Sequence, residues 1–414
     1  MITWANLRAS AALWLMLPVL IYVSLYIGDA ASPVPSRYGV EVGELTAYAV
    51  AVVVPATAGA AAWEAGRHRM LGALRATAHR SVIRQLLRAA APLLLLLGVL
   101  VIGAVVMAYD AARVLPQGAG LLAVAHLIVL SCGWLVIGWC VGLVMPKSIA
   151  SPVVAIGCWA WLSWPHATAN PWVRHLGGFI DGLSSVTDTR SPSVYFVPWG
   201  VTAALALAFW ALAGIPRRAW GAAVALTTIM LTLLTGRALV SDWGFRHPTS
   251  PRITTMTCAG DAPRVCVPPE YAPYATHLRK DVLAPIGKLR EAGVPAPREL
   301  RISSTEVPLE PGIWPLYWSP AGHSTDPAQY AADMAESAVT GTAALHGVKD
   351  CRQPGSAAAA WAALAAGVPR QGVQAALAPA DWDAVQKVRN RPVEEQADWF
   401  TKTVTAQEHC RALS

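Results

Sequence analysis

The residues that could carry out chemistry are few, and their spacing matches no familiar active site. One predicted helical region contains four titratable side chains, Asp326, Asp333, Glu336 and His346. The sequence has neither a G-x-x-x-x-G-K-[ST] phosphate loop nor an H-E-x-x-H zinc motif. We therefore expect no catalytic residue, no cofactor and no metal, and we interpret the four side chains as a solvated helix face. A membrane hydrolase with an unrecognised site is the alternative.

The seven cysteines fall into two groups. Three lie in apolar runs, where a lone cysteine is usually a small core residue: Cys132, Cys140 and Cys158. The other four, Cys258, Cys266, Cys351 and Cys410, follow residue 240, and an even number in an exported domain suggests two disulfides. Three pairings are possible, and we favour Cys258–Cys266, across the turn-rich loop CAGDAPRVC, with Cys351–Cys410. Four free thiols in a cytoplasmic domain are the alternative.

Composition and charge predict a membrane domain followed by a globular domain. Of the 414 residues, 55% are hydrophobic and 14% are charged, against about 25% charged in a soluble domain. Residues 1–240 carry 15 Lys/Arg and 7 Asp/Glu, whereas residues 241–414 carry 17 and 18. We expect an α-helical transmembrane domain over residues 1–240. Residues 241–414 should form a mainly helical, α or α+β, domain that is large enough for its own core.

Seven apolar runs approach the roughly 20 residues that a membrane-spanning helix needs. They are Ala9–Gly28, Leu45–Trp63, Ala89–Tyr109, Leu121–Met145, Ile149–Pro165, Pro198–Ile215 and Ala219–Leu239. The fifth run is marginal in length. We expect the first run to remain as a span, because its flank has one arginine and residues 28–32 make a poor signal-peptidase site.

The basic residues of the short loops predict the orientation, because such residues favour the cytoplasm. With the N-terminus inside, the inner segments hold ten basic residues, and six of these are the arginines from Arg67 to Arg88. The outer loops hold four basic and six acidic residues. We therefore expect a multi-pass protein of the plasma membrane with a cytoplasmic N-terminus and an extracellular C-terminal domain.

The predicted spans contain few polar features. No Asp, Glu, Lys or Arg lies near the middle of a span, although ion-coupled carriers usually need such a residue. We interpret His126, near the outer end of the fourth run, as a hydrogen-bonded or interfacial histidine. Gly138-x-x-x-Gly142 predicts close helix packing, and Pro18 and Pro55 predict kinks.

The stretch Trp63–Pro92 carries six arginines and one acidic residue between two apolar runs. Residues 73–91 contain no proline or glycine and should form a helix. Arg80, Arg84 and Arg88 recur every four residues and share one face. Such a helix either lies on anionic lipid headgroups or docks a cytoplasmic partner.

The same stretch resembles ABC-2-type transporter permeases. In that family an E-x-G-rich turn and a basic helix after the second span contact the ATPase subunit. The resemblance covers roughly residues 1–216 and implies a short extracellular helix, for which residues 171–182 are the candidate. It also implies a separate ABC ATPase partner and a second permease copy or a sister permease. The implied coupling segment includes Glu64, Gly66, Arg67, Arg75, Arg80 and Arg84.

The seventh span and the C-terminal domain depart from the simple family pattern. They resemble actinobacterial permeases with fused extracellular domains, some of which are related to M1-type aminopeptidases. Without H-E-x-x-H, the resemblance implies a catalytically inactive version. We therefore expect the permease subunit of an ATP-driven exporter, with the lipid bilayer as a further partner and no nucleic acid. The alternative is a membrane-anchored receptor or assembly factor whose C-terminal domain binds a ligand or partner.

Overall fold

The chain folds into two compact units. The computed structural model describes residues 7–31, 36–70, 82–168, 170–182, 184, 186–214, 218–304, 307–318, 327–346 and 356–405. The first unit comprises residues 1–184 and 189–250, and the second comprises residues 185–188 and 251–414. The main division therefore falls after Ser250, close to the boundary that charge density predicts.

The first unit is built from helices. These are α1 (Ala11–Ala30), α2 (Gly39–Tyr48), α3 (Val50–Met70), α4 (Val82–Ala112), α5 (Ala119–Val144), α6 (Lys147–Ser163), α7 (Pro171–Gly177), α8 (Ser193–Gly214) and α9 (Arg218–Val240). A 3-10 helix, Trp164–Ala167, follows α6, and the short strands β1 (Asp188–Arg190) and β2 (Thr249–Pro251) pair with each other. The helix α7 lies within the stretch where the sequence predicts a short helix.

Among the described residues, five helices are long and apolar enough to cross a membrane, namely α1, α4, α5, α8 and α9. The pair α2 and α3 forms a sixth candidate span that is bent by 44°. The helix α6 has only 17 residues and corresponds to the run that is marginal in length. The protein is therefore a largely helical membrane protein, and its seventh span stays a prediction.

Small residues bring α3 and α5 into direct backbone contact. A Cβ atom added to Gly138 would lie 2.2 Å from the carbonyl oxygen of Ala58, and one added to Gly142 would lie 2.2 Å from that of Ala62. Neither position has room for a larger residue. This arrangement confirms the close packing predicted from the Gly138-x-x-x-Gly142 motif.

Among the described residues, prolines lie inside four of the long helices without ending them, namely Pro18 in α1, Pro55 in α3, Pro92 in α4 and Pro198 in α8. The sequence predicts a kink at Pro55, but the marked bend of the second candidate span lies earlier, at Ala49. Because α4 continues through Pro92, the end of the basic segment and the third apolar run form one helix of 31 residues.

Contacts define two ends of the first unit. At the basic end, residues 9–11, 64–69 and 144–147 meet. At the loop end, residues 39–48, 117–126, 174–190 and 243–247 meet. The helix α6 runs from one to the other, because Lys147 at its start packs on Gly66, and Trp161 near its last turn packs on Gly177.

The second unit combines a small sheet with several helices. The sheet has the order β3 (Thr257–Ala259), β4 (Arg264–Val267), β5 (Glu299–Arg301) and β6 (Ile313–Pro315). The pair β3–β4 is antiparallel, and the pairs β4–β5 and β5–β6 are parallel. The helices are the 3-10 helix Pro269–Tyr274, α10 (Ala275–Glu291), α11 (Pro327–Leu345), α12 (Ser356–Ala366), α13 (Arg370–Ala375), α14 (Pro379–Arg389) and α15 (Val393–Thr405).

The alanine-rich helix α12 lies in the core of the second unit. Its Trp361 is 1% exposed, stacks at 4.9 Å on Phe400 and donates a hydrogen bond to Gln396 at 3.0 Å. A disulfide joins Cys258 in β3 to Cys266 in β4, directly opposite each other in the sheet. This confirms the first predicted pair, whereas Cys351 and Cys410 lie outside the described residues.

Candidate functional site

Glu64 is an internal anchor at the basic end. Its side chain is fully buried near the end of α3. One carboxylate oxygen accepts a hydrogen bond from the backbone N–H of Ala11 at 2.9 Å, and the other lies 2.7 Å from the Arg67 guanidinium. Since Ala11 begins α1, the carboxylate meets an N–H group that has no partner within the helix. Glu64 thereby fixes α1 to α3.

Gly66 fixes α3 to α6. A Cβ atom added to Gly66 would lie 2.6 Å from the Cβ atom of Lys147, the first residue of α6. The Lys147 ammonium in turn lies 4.8 Å from the centre of the Trp63 ring, a favourable cation–π distance. The E-x-G motif therefore packs against two other helices at one point of the fold.

The first arginines of the basic segment bind backbone carbonyl groups. Arg67 donates to the carbonyl oxygen of Ala9 at 2.5 Å, and Arg69 donates to that of Val144 at 2.7 Å. Val144 ends α5, where carbonyl groups lack partners within the helix. These two side chains therefore tie the end of α3 to the neighbouring helix ends.

The remaining residues of the predicted coupling segment are only partly placed. Arg84 lies in the first turn of α4, whereas Arg75 and Arg80 lie outside the described residues. The structure brings Glu64, Gly66 and Arg67 together, and the role of the other three stays a prediction.

A buried ion pair at the loop end was not predicted from the sequence. Glu44 and Arg190 are 3% and 7% exposed, and Arg190 Nε donates to Glu44 Oε1 at 2.9 Å. Ser184 donates to the same carboxylate through its backbone N–H at 2.5 Å and through its hydroxyl at 2.6 Å. The sequence analysis counts Glu44 and Arg190 only as outer-loop charges. A separation of 146 residues gives no sequence signal for their pairing.

A second polar cluster at the loop end was also missed. Arg174 donates to Asp181 and to His166, each at 2.9 Å. His247 faces the same Asp181 carboxylate with 3.6 Å between Nε2 and Oδ1, and its other ring nitrogen lies 3.2 Å from His175 Nδ1. The cluster thus groups three histidines, one arginine and one carboxylate from the 3-10 helix Trp164–Ala167, from α7, from the loop after α7 and from the segment after α9.

Burial and neighbouring charges control the ionisation of this cluster. Burial is the main cause that lowers the pKa of His247 to about 4, against an opposing interaction with Asp181, and burial also lowers the pKa of His175. His166 and His247 lower the pKa of Asp181 when they donate a ring proton to its carboxylate, and the Arg174 guanidinium, which binds that carboxylate at 2.9 Å, holds the pKa below its usual range whichever ring nitrogens carry the protons. At neutral pH His175 and His247 are therefore neutral, and the Asp181 carboxylate is ionised.

His126 is buried and fully hydrogen-bonded. The indole N–H of Trp199 donates to His126 Nδ1 at 2.8 Å, so Nε2 carries the proton and donates to the carbonyl oxygen of Gly178 at 2.7 Å. This confirms the interpretation of His126 as a hydrogen-bonded histidine and assigns it a neutral tautomer.

The second unit has an open groove of about 460 Å³ at the end of its sheet where β4, β5 and β6 begin. Glu299 lines the groove, is 3% exposed and pairs with Arg264 and Arg301. Arg298 and Glu310 form a further pair at 2.9 Å. The groove is lined by equal numbers of arginine and carboxylate side chains. Their charges therefore cancel, and the groove has no preference for an anion. Among the described residues, no group of three His, Cys, Asp or Glu is arranged to hold a metal ion.

Comparison with known proteins bears only on the second unit. A family model described as "Domain of unknown function (DUF7224)" matches residues 265–410, less than half of the chain. The match begins in β4 and includes Cys266, Cys351 and Cys410 but not Cys258. No curated protein and no solved structure matches the chain. The second unit is thus similar to a family whose function is not established.

Proposed function

We propose that the chain is the membrane-spanning permease subunit of an ABC-type exporter that is driven by a separate ATPase subunit. The residues at the basic end then form the surface on which the ATPase acts. The proposal also includes seven crossings, a cytoplasmic basic end and an extracellular second unit.

The single observation that carries this proposal is the continuity of α4. Its 31 residues begin at Val82, inside the basic segment, and end at Ala112. At 1.5 Å per residue, about 46 Å of unbroken helix joins the basic segment to the loop end. A helix that lies flat on lipid headgroups needs a break before the span begins. A force applied near Arg84 would be transmitted directly along α4.

The anchored E-x-G motif supports the same proposal. Glu64 holds α1, Gly66 contacts α6, and Arg69 holds the end of α5. A docked partner would therefore act on several helices at once. Because Glu64 is fully buried, it would position the docking surface and would not contact the partner itself.

The direction of α6 supports the proposed topology. This helix leaves the basic end at Lys147 and reaches the loop end near Trp161. Its 17 residues span about 26 Å, and the 3-10 helix Trp164–Ala167 extends it. With α6 as a crossing, the chain crosses seven times and leaves the first unit at the end opposite the basic segment.

The experiment that tests this function uses the double variant Arg75→Lys plus Arg80→Lys. Lysine keeps the positive charge but loses the planar guanidinium that pairs with carboxylates through two hydrogen bonds. The tagged full-length chain is purified from native membranes, and co-purifying ATP hydrolysis is measured. We expect normal insertion and at least a fivefold loss of co-purifying ATPase activity.

The matched control is Arg113→Lys, which changes an exposed arginine paired with Asp110 at the loop end. It should leave co-purifying ATPase activity unchanged. If the double variant also retains full activity, or if the wild-type chain carries none, the coupling proposal fails. A receptor or assembly factor anchored by its spans then becomes the better explanation.

A further inference from the structure

Two histidines, a carboxylate and a carbonyl group form a chain of three contacts at the loop end. His175 Nε2 lies 2.9 Å from the carbonyl oxygen of Gly244, and His175 Nδ1 lies 3.2 Å from His247 Nδ1. The last ring nitrogen, His247 Nε2, faces Asp181 Oδ1 at 3.6 Å. Each contact needs one proton on a ring nitrogen, because carbonyl and ionised carboxylate oxygens only accept hydrogen bonds.

Two neutral histidines carry two ring protons, so one of the three contacts must lack its proton. The distances identify which one. The contacts to Gly244 and between the two Nδ1 atoms are within hydrogen-bonding range, whereas 3.6 Å exceeds the usual range of about 2.7–3.2 Å. His247 Nε2 is also buried without a hydrogen-bond partner among the described residues. The lone pair of His247 therefore faces the carboxylate of Asp181.

We propose that the pair His175–His247 takes up one proton on acidification and that this proton ties His247 to Asp181. The chain then has a hydrogen bond at every contact, from Asp181 to Gly244. Residues 243–247, which follow α9, become fixed to the loop that follows α7. The loop end thus contains a latch that closes in acid.

Surrounding charges determine the pH at which the latch closes. The titratable and charged groups that face His247 or its carboxylate partner are Asp181, His175, His166, Arg174, Arg190, His126 and Tyr48. Asp181 favours the proton, whereas burial, Arg190 and the neighbouring histidines oppose it. Because Asp181 stays ionised, a negative partner is present throughout. Proton uptake therefore falls below the ordinary histidine range, which centres on about 6.5.

The test is ¹⁵N NMR of the full-length protein with ring-labelled histidine, titrated from pH 7.5 to pH 4 and assigned with His247→Gln. At pH 7.5, His247 should be the tautomer with a proton on Nδ1 and a bare Nε2, the opposite of His126. On acidification the bare nitrogen should become protonated with a midpoint below 6.5. Asp181→Asn removes the negative partner and should lower that midpoint by about one unit.

A control and a second readout separate the latch from a general acid effect. His277→Gln changes an exposed histidine on α10 and should leave the His247 titration unchanged. Acidification should slow amide exchange in residues 243–247 at least twofold after correction for intrinsic rates, and His247→Gln should abolish the change. Three outcomes would overturn the proposal: a proton on His247 Nε2 at pH 7.5, a titration midpoint that Asp181→Asn leaves unchanged, or amide exchange in residues 243–247 that acid does not slow.

Discussion

The carboxylate of Glu64 binds the backbone N–H of Ala11 at 2.9 Å, 53 residues earlier in the chain. This contact places the residue that carries the permease resemblance inside the helix bundle. Glu64→Ala would leave the N–H of Ala11 without its partner and the guanidinium of Arg67 with the Ala9 carbonyl but no carboxylate. We expect a loss of about 2 kcal/mol of stability, because a buried polar group that loses its partner costs about 1–3 kcal/mol.

Thermal unfolding of the purified chain in detergent measures this loss. Asp110→Ala is the matched control, because it removes a carboxylate from the exposed pair with Arg113, and exposed pairs contribute little. Equal unfolding temperatures for Glu64→Ala and the wild type would contradict the anchoring role. A drop in ATPase association in Glu64→Ala would not by itself identify a docking contact, since a destabilised bundle also loses its partner.

Gly138 tests the contact between α3 and α5. In Gly138→Ala the new methyl group would meet the carbonyl oxygen of Ala58 at 2.2 Å, so the two backbones must separate. We expect a cost of about 1–3 kcal/mol, seen as a lower unfolding temperature. Gly98→Ala in α4 is the control, because nothing lies within 4 Å of a Cβ atom there. That change should be neutral or slightly stabilising, because alanine is the better helix former.

The disulfide in the sheet should stabilise the second unit. Replacing both Cys258 and Cys266 with alanine avoids placing a hydroxyl group at the buried Cys266. The loop between them spans eight positions, and loss of the cross-link should cost about 2–3 kcal/mol. Thermal unfolding measures the loss, and Cys132→Ala, at a free cysteine, should cause little change. Non-reducing peptide mapping that finds Cys258 and Cys266 as free thiols would refute the pair.

The sequence predicts local features of the fold better than distant contacts. The length of the apolar runs locates the long helices, and the spacing of Gly138 and Gly142 identifies the close packing of α5 on a neighbouring helix. Both signals lie within single helices, so they can be read from a short stretch of sequence. The third apolar run already includes Pro92, but the sequence does not predict that the end of the basic segment and this run form one helix, because a proline inside a helix often marks a break or kink. The strands of the second unit have three or four residues each, too short for a clear alternating pattern.

The polar site at the loop end could not be predicted for a related reason. Asp181, His175 and His247 come from segments up to 72 residues apart, and no motif relates their positions. Their grouping depends on how α7 and the segment after α9 meet. The resemblance assigns Glu64 and Gly66 to a coupling segment, which stays a prediction, and the sequence gives no sign that the Glu64 side chain is buried.

Acid should destabilise the first unit through His247. Its pKa is about 6.5 in an unfolded chain and about 4 in the folded protein, because burial disfavours the charged form. The unfolded state therefore binds the proton first as pH falls. The stability from neutral His247 is complete above about pH 6.5 and is lost between about 6.5 and 4, by on the order of 2–3 kcal/mol. The interaction with Asp181 raises the pKa of His247 and is already contained in this loss, which would be larger without it.

Unfolding temperatures measured from pH 7.5 to pH 4 test this dependence. His247→Gln should flatten the curve over that range, whereas His277→Gln should not change it. A decline that is equally steep in His247→Gln would assign the acid sensitivity to other groups.

The last prediction concerns topology, and the structure guides the choice of labelling site. Ala296 in the second unit is exposed, so Ala296→Cys suits labelling with an impermeant maleimide. The second position is Ala78→Cys in the basic segment, and both are made in a background without the four cysteines after residue 240. In intact cells we expect label at 296 and none at 78, because basic loops favour the cytoplasm and, in the proposed topology, five crossings (α4, α5, α6, α8 and α9) lie between the two positions. Permeabilised cells should label at both positions. Label at 78 in intact cells without label at 296 would reverse the orientation, and it would also remove the oxidising environment on which the proposed Cys351–Cys410 disulfide depends.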